Sequence, residues 1–361
     1  MRLIAKNRLA GAGASVLVLR MGGKLRANEP DHESVFQRAG KPLAAFRWAQ
    51  GVPGLGRALA AAACFLAVAC GAGAGPDTGG GAVQVVTTTA LLADLVKNVG
   101  GERVQVHSIV PPGADVHSFQ TTPADSIAIS RARVIVSNGF GLDTFLEPVL
   151  ESAKGAGVIH VIAAEGLEPE SDYRSNDQPP ADGRAGGENR GLQGDPHLWQ
   201  NPLFAIHYIE GIRDGLASAD PDHAPDYRAN AGKYIEELRR LDREISDILS
   251  AVAPDRRHLV TFHDAFSHFA RRYGWKASAL VATEAGEVSP AAVVRVLERV
   301  GNDMLPAVFV EPQFRSDVIQ RAAEDAGVAV GTIHSGVSDA GVTSYVEMMR
   351  SNARSLAEHL R

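Results

Sequence analysis

The sequence predicts an α/β protein with two lobes, each built around a mainly parallel sheet flanked by helices. Two sets of short β-branched runs alternate with helical patterns, which is typical of parallel sheets covered on both faces. One long amphipathic pattern separates the two sets. The chain has 361 residues, 45% of them hydrophobic and 22% charged, which allows two folded domains and excludes disorder of the whole chain.

The predicted strands divide between an N-terminal lobe at residues 83–224 and a C-terminal lobe at residues 254–361. The runs of the first lobe are VQVVTTT (83–89), VQVHSIV (104–110), VIVSNG (134–139) and VIHVIA (158–163). Those of the second lobe are HLVTF (258–262), SALVAT (278–283), AVFVEP (307–312) and VAVGTI (328–333). The alternation with helices predicts one parallel sheet in each lobe.

Residues 225–253 are predicted to form a linker helix between the lobes. The pattern starts after Pro225 and stops before Pro254, with apolar residues three and four positions apart. At 1.5 Å per residue, about 27 helical residues span roughly 40 Å, long enough to run along both lobes. Such a helix should restrict hinge opening; the alternative is a helix that belongs to one lobe.

Residues 1–69 are predicted to be a leader outside the fold. The apolar stretch 58–69 is shorter than the ~20 residues of a membrane span and has signal-peptide dimensions, so we place the signal peptide at about 52–69. The residues upstream of Val52 exceed what such a leader needs, which predicts a mis-assigned start. The Gly-rich segment that follows, residues 70–82, is predicted to be a flexible tether.

The cleavage site is predicted from the small residues Ala67-Val68-Ala69 before Cys70, which resemble the lipobox of bacterial lipoproteins. Cys70 would then be the lipidated first residue of the mature chain. Cleavage elsewhere, giving a soluble periplasmic product, is the alternative. Because the two cysteines of the chain, Cys64 and Cys70, lie here, a disulfide framework or a thiolate zinc site downstream is excluded.

Charge argues against nucleic acid as a partner, and local composition predicts a loop at residues 168–194. The net charge of -6 and the lack of a basic stripe argue against nucleic acid as a partner. The segment 168–194 is polar and rich in Gly, Asp and Pro, which predicts a flexible loop. It precedes a histidine motif, so it either covers a site or is a solvated insertion.

Three of the twelve histidines lie beside residues that favour turns. His117 follows a predicted strand in PPGADVHSF, and His197 lies between two prolines in DPHLWQNP. His263 directly follows the HLVTF strand, in TFHDAF. Ligands bind at strand ends in open α/β sheets, so these imidazoles are candidates to converge on one site.

Taken together, these motifs resemble one protein family. P-x-G-x-D-x-H, D-P-H-x-W-x-N-P and F-H-D-A-F-x-x-F-x-x-x-Y-G occur in this order, as in the metal-binding solute-binding proteins of zinc and manganese ABC transporters. The resemblance runs from about Val83 to Leu360 and includes VEPQF (310–314) and TSYVEMMRSN (343–352). It implies two lobes with a metal site in the cleft between them.

The resemblance also implies a set of ligands. His117 and His197 of the N-terminal lobe and His263 of the C-terminal lobe would bind the ion. The fourth ligand in the family is a carboxylate or a water molecule from the loop after the last strand. Gly336 occupies the position where an aspartate is expected, so we predict Asp339 as the ligand, with His334 or water as alternatives.

The donor atoms favour Zn(2+) as the cargo, because imidazole suits zinc whereas the harder Mn(2+) prefers oxygen ligands. In manganese members of the family the third ligand is typically Glu, at the position of His263. Copper or nickel would bind three imidazoles in vitro at least as well.

We therefore expect a non-enzymatic receptor that captures zinc outside the cytoplasm and delivers it to an ABC permease. It would be a monomer anchored to the membrane through Cys70. The alternatives are a manganese receptor, a surface adhesin of the same fold, or a zinc hydrolase with Glu311 or Asp264 as base. No HExxH helix, G-x-S-x-G elbow or P-loop supports the hydrolase.

The other histidines that we considered are expected to lie outside the site. His268 follows His263 by five residues, about 140° around a helix axis, so the two should not chelate from one face. His107 and His160 lie within strand patterns, as core or surface residues. The remaining three have no neighbours that suggest a site: His223, His258 and His359.

Overall fold

The computed structural model describes most of the chain after residue 80. The described residues are 81–153, 157–167, 194–281, 301, 306–314, 317–338 and 341–361. All of these described residues belong to one compact unit. The predicted leader, most of the tether and nearly all of the 168–194 loop lie outside the described residues.

The N-terminal lobe contains a parallel four-stranded sheet in the order β2-β1-β3-β4. Val85 at its centre pairs with Val106 on one side and Val134 on the other. The next residue, Val86, is also buried but joins a different apolar cluster, so both faces of the sheet are covered, as the alternation of strands and helices predicted. The strands are β1 Val83–Thr89, β2 Val104–Val110, β3 Val134–Ser137 and β4 Ile159–Ile162. The helices are α1 Ala90–Gly100, α2 Pro123–Arg131, α3 Glu147–Ala153 and α4 Pro202–Ala219.

The C-terminal lobe repeats this topology with the sheet order β6-β5-β7-β8. Val260 and Phe262 of β5 face one apolar cluster, and Leu259 faces the other. The strands are β5 His258–His263, β6 Lys276–Val281, β7 Ala307–Val310 and β8 Ala329–Thr332. After the helix α5, described next, this lobe has the helices α6 Ser267–Tyr273, α7 Asp317–Asp325 and α8 Tyr345–Leu360.

The long helix α5 spans Ala224–Ser250 and packs against α1 and α4 of the first lobe and α8 of the second. Its C-terminal end comes three residues before the predicted end at 253. Ala253 precedes Pro254 and is extended, because the proline ring disfavours helical backbone at the residue before it. Two pairs tie α5 to the C-terminal lobe: Arg350 with Glu244, and Arg272 with Asp242.

The predicted fold class is confirmed: two parallel-sheet α/β lobes are connected by one long helix. Because that helix contacts both lobes, it fits the prediction that it limits hinge opening. Among the residues that the structure describes, no helix has both the length and the apolar character needed to cross a membrane.

Candidate metal centre

His117 lies on the loop that leaves the carboxyl end of β2. The backbone N–H of His117 donates to Asp115 Oδ1 at 3.0 Å, which fixes a local turn. Gly113, at φ +72°, lies in the preceding turn, and its N–H donates across the cleft to the carbonyl oxygen of Val337 at 3.0 Å. The loop is thus held from both lobes, with the imidazole half-buried in the cleft.

His197 is buried and is oriented by Asp195. One carboxylate oxygen of Asp195, Oδ1, accepts from the His197 backbone N–H at 3.0 Å and lies 2.7 Å from Nδ1. Burial raises the pKa of Asp195, but the charge and hydrogen bonds of His197 outweigh it, so the pKa is lowered. An ionised carboxylate only accepts hydrogen bonds, so Nδ1 of His197 is the donor and Nε2 is the ring nitrogen left to bind a metal ion.

His263 is the last residue of β5 and is oriented by Glu311, which directly follows the neighbouring strand β7. His263 Nδ1 lies 2.7 Å from Glu311 Oε1, and the Glu311 side chain is fully buried. Nε2 of His263 is also buried, and it has no hydrogen-bond partner among the described residues. A buried imidazole nitrogen without a partner is costly unless something binds it.

The three imidazoles meet in the cleft. Ligand atoms of His117, His197 and His263 all lie within 4.8 Å of one another, and the Nε2 atoms of His117 and His197 are 3.2 Å apart. Two nitrogens bound at 2.0–2.1 Å to a tetrahedral ion are about 3.3 Å apart. The cleft around them has a volume of about 300 Å³. The separation of His117 and His197 therefore matches two ligands of a tetrahedral ion, and His263 lies close enough to complete a group of three imidazoles.

The electrostatics differ between the two lobes. Burial and the neighbouring His197 and His263 lower the pKa of His117 to about 3. Burial also acts to lower the pKa of His263, but the hydrogen bond and charge of Glu311 outweigh it and the pKa is raised. At neutral pH, His117 is therefore unprotonated and ready to bind a cation, whereas a proton competes more strongly for His263 than for an ordinary imidazole.

The loop after β8 contains the remaining candidates for the fourth ligand. Asp339 lies outside the described residues. His334 lines the cleft and burial lowers its pKa, but among the described residues it is not part of the three-histidine group. Gly336 also lines the cleft, and a Cβ added there would meet no atom within 4 Å.

Asn352 fixes the backbone of this loop from helix α8. Its Oδ1 accepts from the His334 N–H at 2.9 Å, and its Nδ2 donates to the His334 carbonyl at 2.8 Å. Asn352 is fully buried, so both polar groups depend on these bonds. It belongs to the TSYVEMMRSN motif, whose part in the site could not be derived from spacing alone.

His268 is a supporting residue that the sequence analysis placed outside the site. It does not join the three-histidine group, as expected from its helical position. However, His268 Nε2 lies 3.1 Å from the carbonyl oxygen of Asp195, across the cleft, and so supports the segment that carries His197. The other histidines set aside from the sequence are absent from the three-histidine group of the described residues: His107, His160, His223, His258 and His359.

A match to a protein family covers most of the chain. The family model described as "ZnuA: Zinc-uptake complex component A periplasmic" matches residues 85–359. The chain belongs to the ZnuA family. The resemblance inferred from the histidine motifs is thereby confirmed. As a family member the chain is a metal-binding substrate-binding protein of an ABC transporter, which acts outside the cytoplasm and is a receptor rather than an enzyme.

Individual relatives are named for different metals. The chain is 31% identical over 297 residues to the manganese-binding lipoprotein MntA of Halalkalibacterium halodurans, covering 80% of this chain and 92% of the relative. It is 32% identical over 251 residues to the iron-binding protein YfeA of Yersinia pestis, covering 69% and 76%. Membership of the ZnuA family thus does not by itself determine which metal is carried.

Solved structures share the two-lobed fold. A crystal structure of ZnuA superposes with a TM-score of 0.67 at 22% identity, covering 78% of this chain and all of the other. The Mn-bound periplasmic metal binding protein of Candidatus Liberibacter asiaticus gives a TM-score of 0.65 at 23% identity, covering 77% and 99%. At this identity the comparison concerns the fold alone.

The hydrolase alternative does not agree with family membership, and the surroundings of Glu311 explain why this residue is a poor base. Glu311 Oε1 contacts His263 Nδ1, and Oε2 accepts from Gln313 Nε2 at 3.0 Å. A fully buried carboxyl group with both oxygens engaged in this way orients its neighbours instead of abstracting a proton from water.

Proposed function

We propose that this ZnuA-family receptor carries Zn(2+), bound by His117, His197 and His263. The observation that carries the proposal is the convergence of three imidazoles, with no carboxylate in the group that the described residues form. Neutral imidazole nitrogens suit zinc better than manganese, which prefers oxygen donors. Asp339 is our candidate for the fourth ligand, with His334 or a water molecule as alternatives.

The wider biology follows as part of the same proposal. Residues 1–69 would be removed, and lipidated Cys70 would anchor the receptor to the membrane through the 70–82 tether, with a soluble periplasmic form as the alternative. The lobes would be residues 83–224 and 254–361, joined by the linker helix 225–253. The receptor would act as a monomer that loads zinc and passes it to the permease.

Metal analysis and competition test the choice of zinc. The domain from Gly71 onward is purified and stripped of metal, and zinc and manganese are then titrated in competition against a chromogenic chelator. We expect one zinc per chain and displacement of manganese by zinc. Tighter binding of manganese would overturn the zinc assignment and favour a manganese receptor, as the name of the MntA relative suggests for that protein.

Zinc affinity is expected to fall as the pH is lowered from neutral to about 5, because a proton competes for the imidazole nitrogens. The raised pKa of His263 makes this competition begin above the ordinary value of 6.5, whereas the pKa of about 3 keeps His117 unprotonated. Calorimetry in buffers of different ionisation enthalpy should therefore show at most about two protons released per zinc near pH 6, since unprotonated His117 has none to release. A constant affinity over this range, or release of clearly more than two protons, would contradict the prediction.

A further inference from the structure

Gln313 connects Glu311, which supports His263, to the loop after β8, which makes hydrogen bonds to the other lobe. Its side-chain nitrogen Nε2 donates to Glu311 Oε2 at 3.0 Å and to Ser335 Oγ at 2.7 Å. Both amide hydrogens are thus used, one on each partner. We propose that Gln313 is a positioning residue that couples the orientation of His263 to closure of the lobes, and so sets how long the metal stays bound. The inference rests on the proposed function, since it assumes that His263 is a ligand.

On the side of the metal site, Gln313 acts on His263 through Glu311. Glu311 is fully buried and contacts His263 Nδ1 through Oε1, so the Gln313 bond to Oε2 holds the carboxyl group in the plane that this contact needs. Groups behind a metal ligand fix the orientation of its ring and tune affinity. Without Gln313, one oxygen of a buried carboxyl group would lose its described partner.

On the other side, Gln313 is linked to the N-terminal lobe through Ser335. Ser335 lies in the loop after β8, and its carbonyl oxygen accepts from Trp199 Nε1 at 2.8 Å and from Gln200 Nε2 at 3.2 Å. Trp199 also packs edge-on against the His197 ring, with ring centroids 5.2 Å apart. A continuous path of contacts therefore joins the ligand candidate of one lobe to that of the other.

This path predicts a specific kinetic consequence. Opening the cleft must separate Ser335 from Trp199 and Gln200, because these residues belong to different lobes. Gln313 ties the position of Ser335 to Glu311, so loosening this tie should favour opening and faster release. Capture should change little, because metal enters while the lobes are apart and these contacts are broken.

The test measures zinc release by stopped flow into an excess of a chromogenic chelator. The variants are Gln313→Met, which has similar length but no donors, Ser335→Ala, and the double variant. We expect Ser335→Ala, which loses one hydrogen bond, to raise the release rate about tenfold, or roughly 1.4 kcal/mol, and Gln313→Met, which loses the bonds to both Glu311 and Ser335, to raise it at least as much. The association rate of both variants should stay within about twofold of the wild type. The double variant should release zinc no more than about threefold faster than Gln313→Met, because Gln313→Met already removes the bond that Ser335→Ala removes.

A control variant and a second substitution of Gln313 complete the test. Gln105→Ala, which removes an exposed amide on β2 far along the chain from the site, should leave the release rate unchanged. Gln313→Glu, of the same shape, opposes the Glu311 carboxyl group and should release zinc faster than Gln313→Met. An unchanged release rate in Gln313→Met, or fully multiplicative effects in the double variant, would overturn the proposal. Failure of the wild type to bind zinc would instead refute the proposed function.

Discussion

Replacing His263 by alanine should reduce zinc affinity by about a hundredfold to a thousandfold while the fold is kept. Apparent binding free energies of protein zinc sites are about 10–16 kcal/mol, so one of three or four ligands accounts for roughly 3–4 kcal/mol. The loss should be at the severe end because His263 is the ligand candidate from the C-terminal lobe. Without it, the ion would no longer bridge the two lobes.

The measurement is a competitive zinc titration of wild type and variant, with thermal unfolding of the metal-free proteins as a check on folding. His107→Ala is the matched control, since His107 is an exposed histidine on β2 and is not part of the three-histidine group. It should bind zinc like the wild type. An unchanged affinity in His263→Ala would remove His263 from the site and, with it, the proposal that the metal lies between the lobes.

Replacing Glu311 by alanine should weaken zinc binding by roughly tenfold to a hundredfold, although Glu311 is not expected to touch the ion. The substitution removes the acceptor for His263 Nδ1 and one acceptor of Gln313. The imidazole would lose both its fixed orientation and the nearby negative charge that favours binding of a cation. Zinc titration at pH 7.5 measures the loss.

Glu311→Gln separates these two contributions. Its amide oxygen can still accept from Nδ1, so the orientation is kept while the charge is removed, and the loss of affinity should be smaller than for alanine. Without the charge, burial acts to lower the pKa of His263, so this pKa should fall in the metal-free variant. NMR titration of the imidazole measures it. Equal losses in both variants with no change in the His263 pKa would show that Glu311 does not support His263 as described.

The linker helix limits how far the two lobes can move relative to each other. Helix α5 packs against helices of both lobes and is tied to the C-terminal lobe through Arg350–Glu244 and Arg272–Asp242. Large rotation about such a helix would break these contacts. Small relative movements at the cleft are therefore the expected means of loading and release, which is where the Ser335 contacts lie.

Local sequence patterns were sufficient to predict the two-lobed architecture. Alternating β-branched runs and helical spacing predicted every described strand to within two residues at its start, because β-branched side chains favour strands and the helical spacing of apolar residues marks the segments between them. The end of α5 was less well predicted, because the last helical residues before a proline depend on the backbone at Ala253. The three candidate histidines were identified from turn residues and from the family resemblance.

The supporting contacts were decided only by the tertiary structure. Sequence spacing separates His263 from Glu311 by 48 residues and Ser335 from Trp199 by 136, and no local pattern indicates which will meet. These contacts arise because parallel strands bring their carboxyl ends to one edge and the two lobes face each other there. The sequence by itself therefore determined the fold class and the candidate ligands. Only the tertiary structure determined which groups orient them, because orientation depends on contacts between residues distant in the chain.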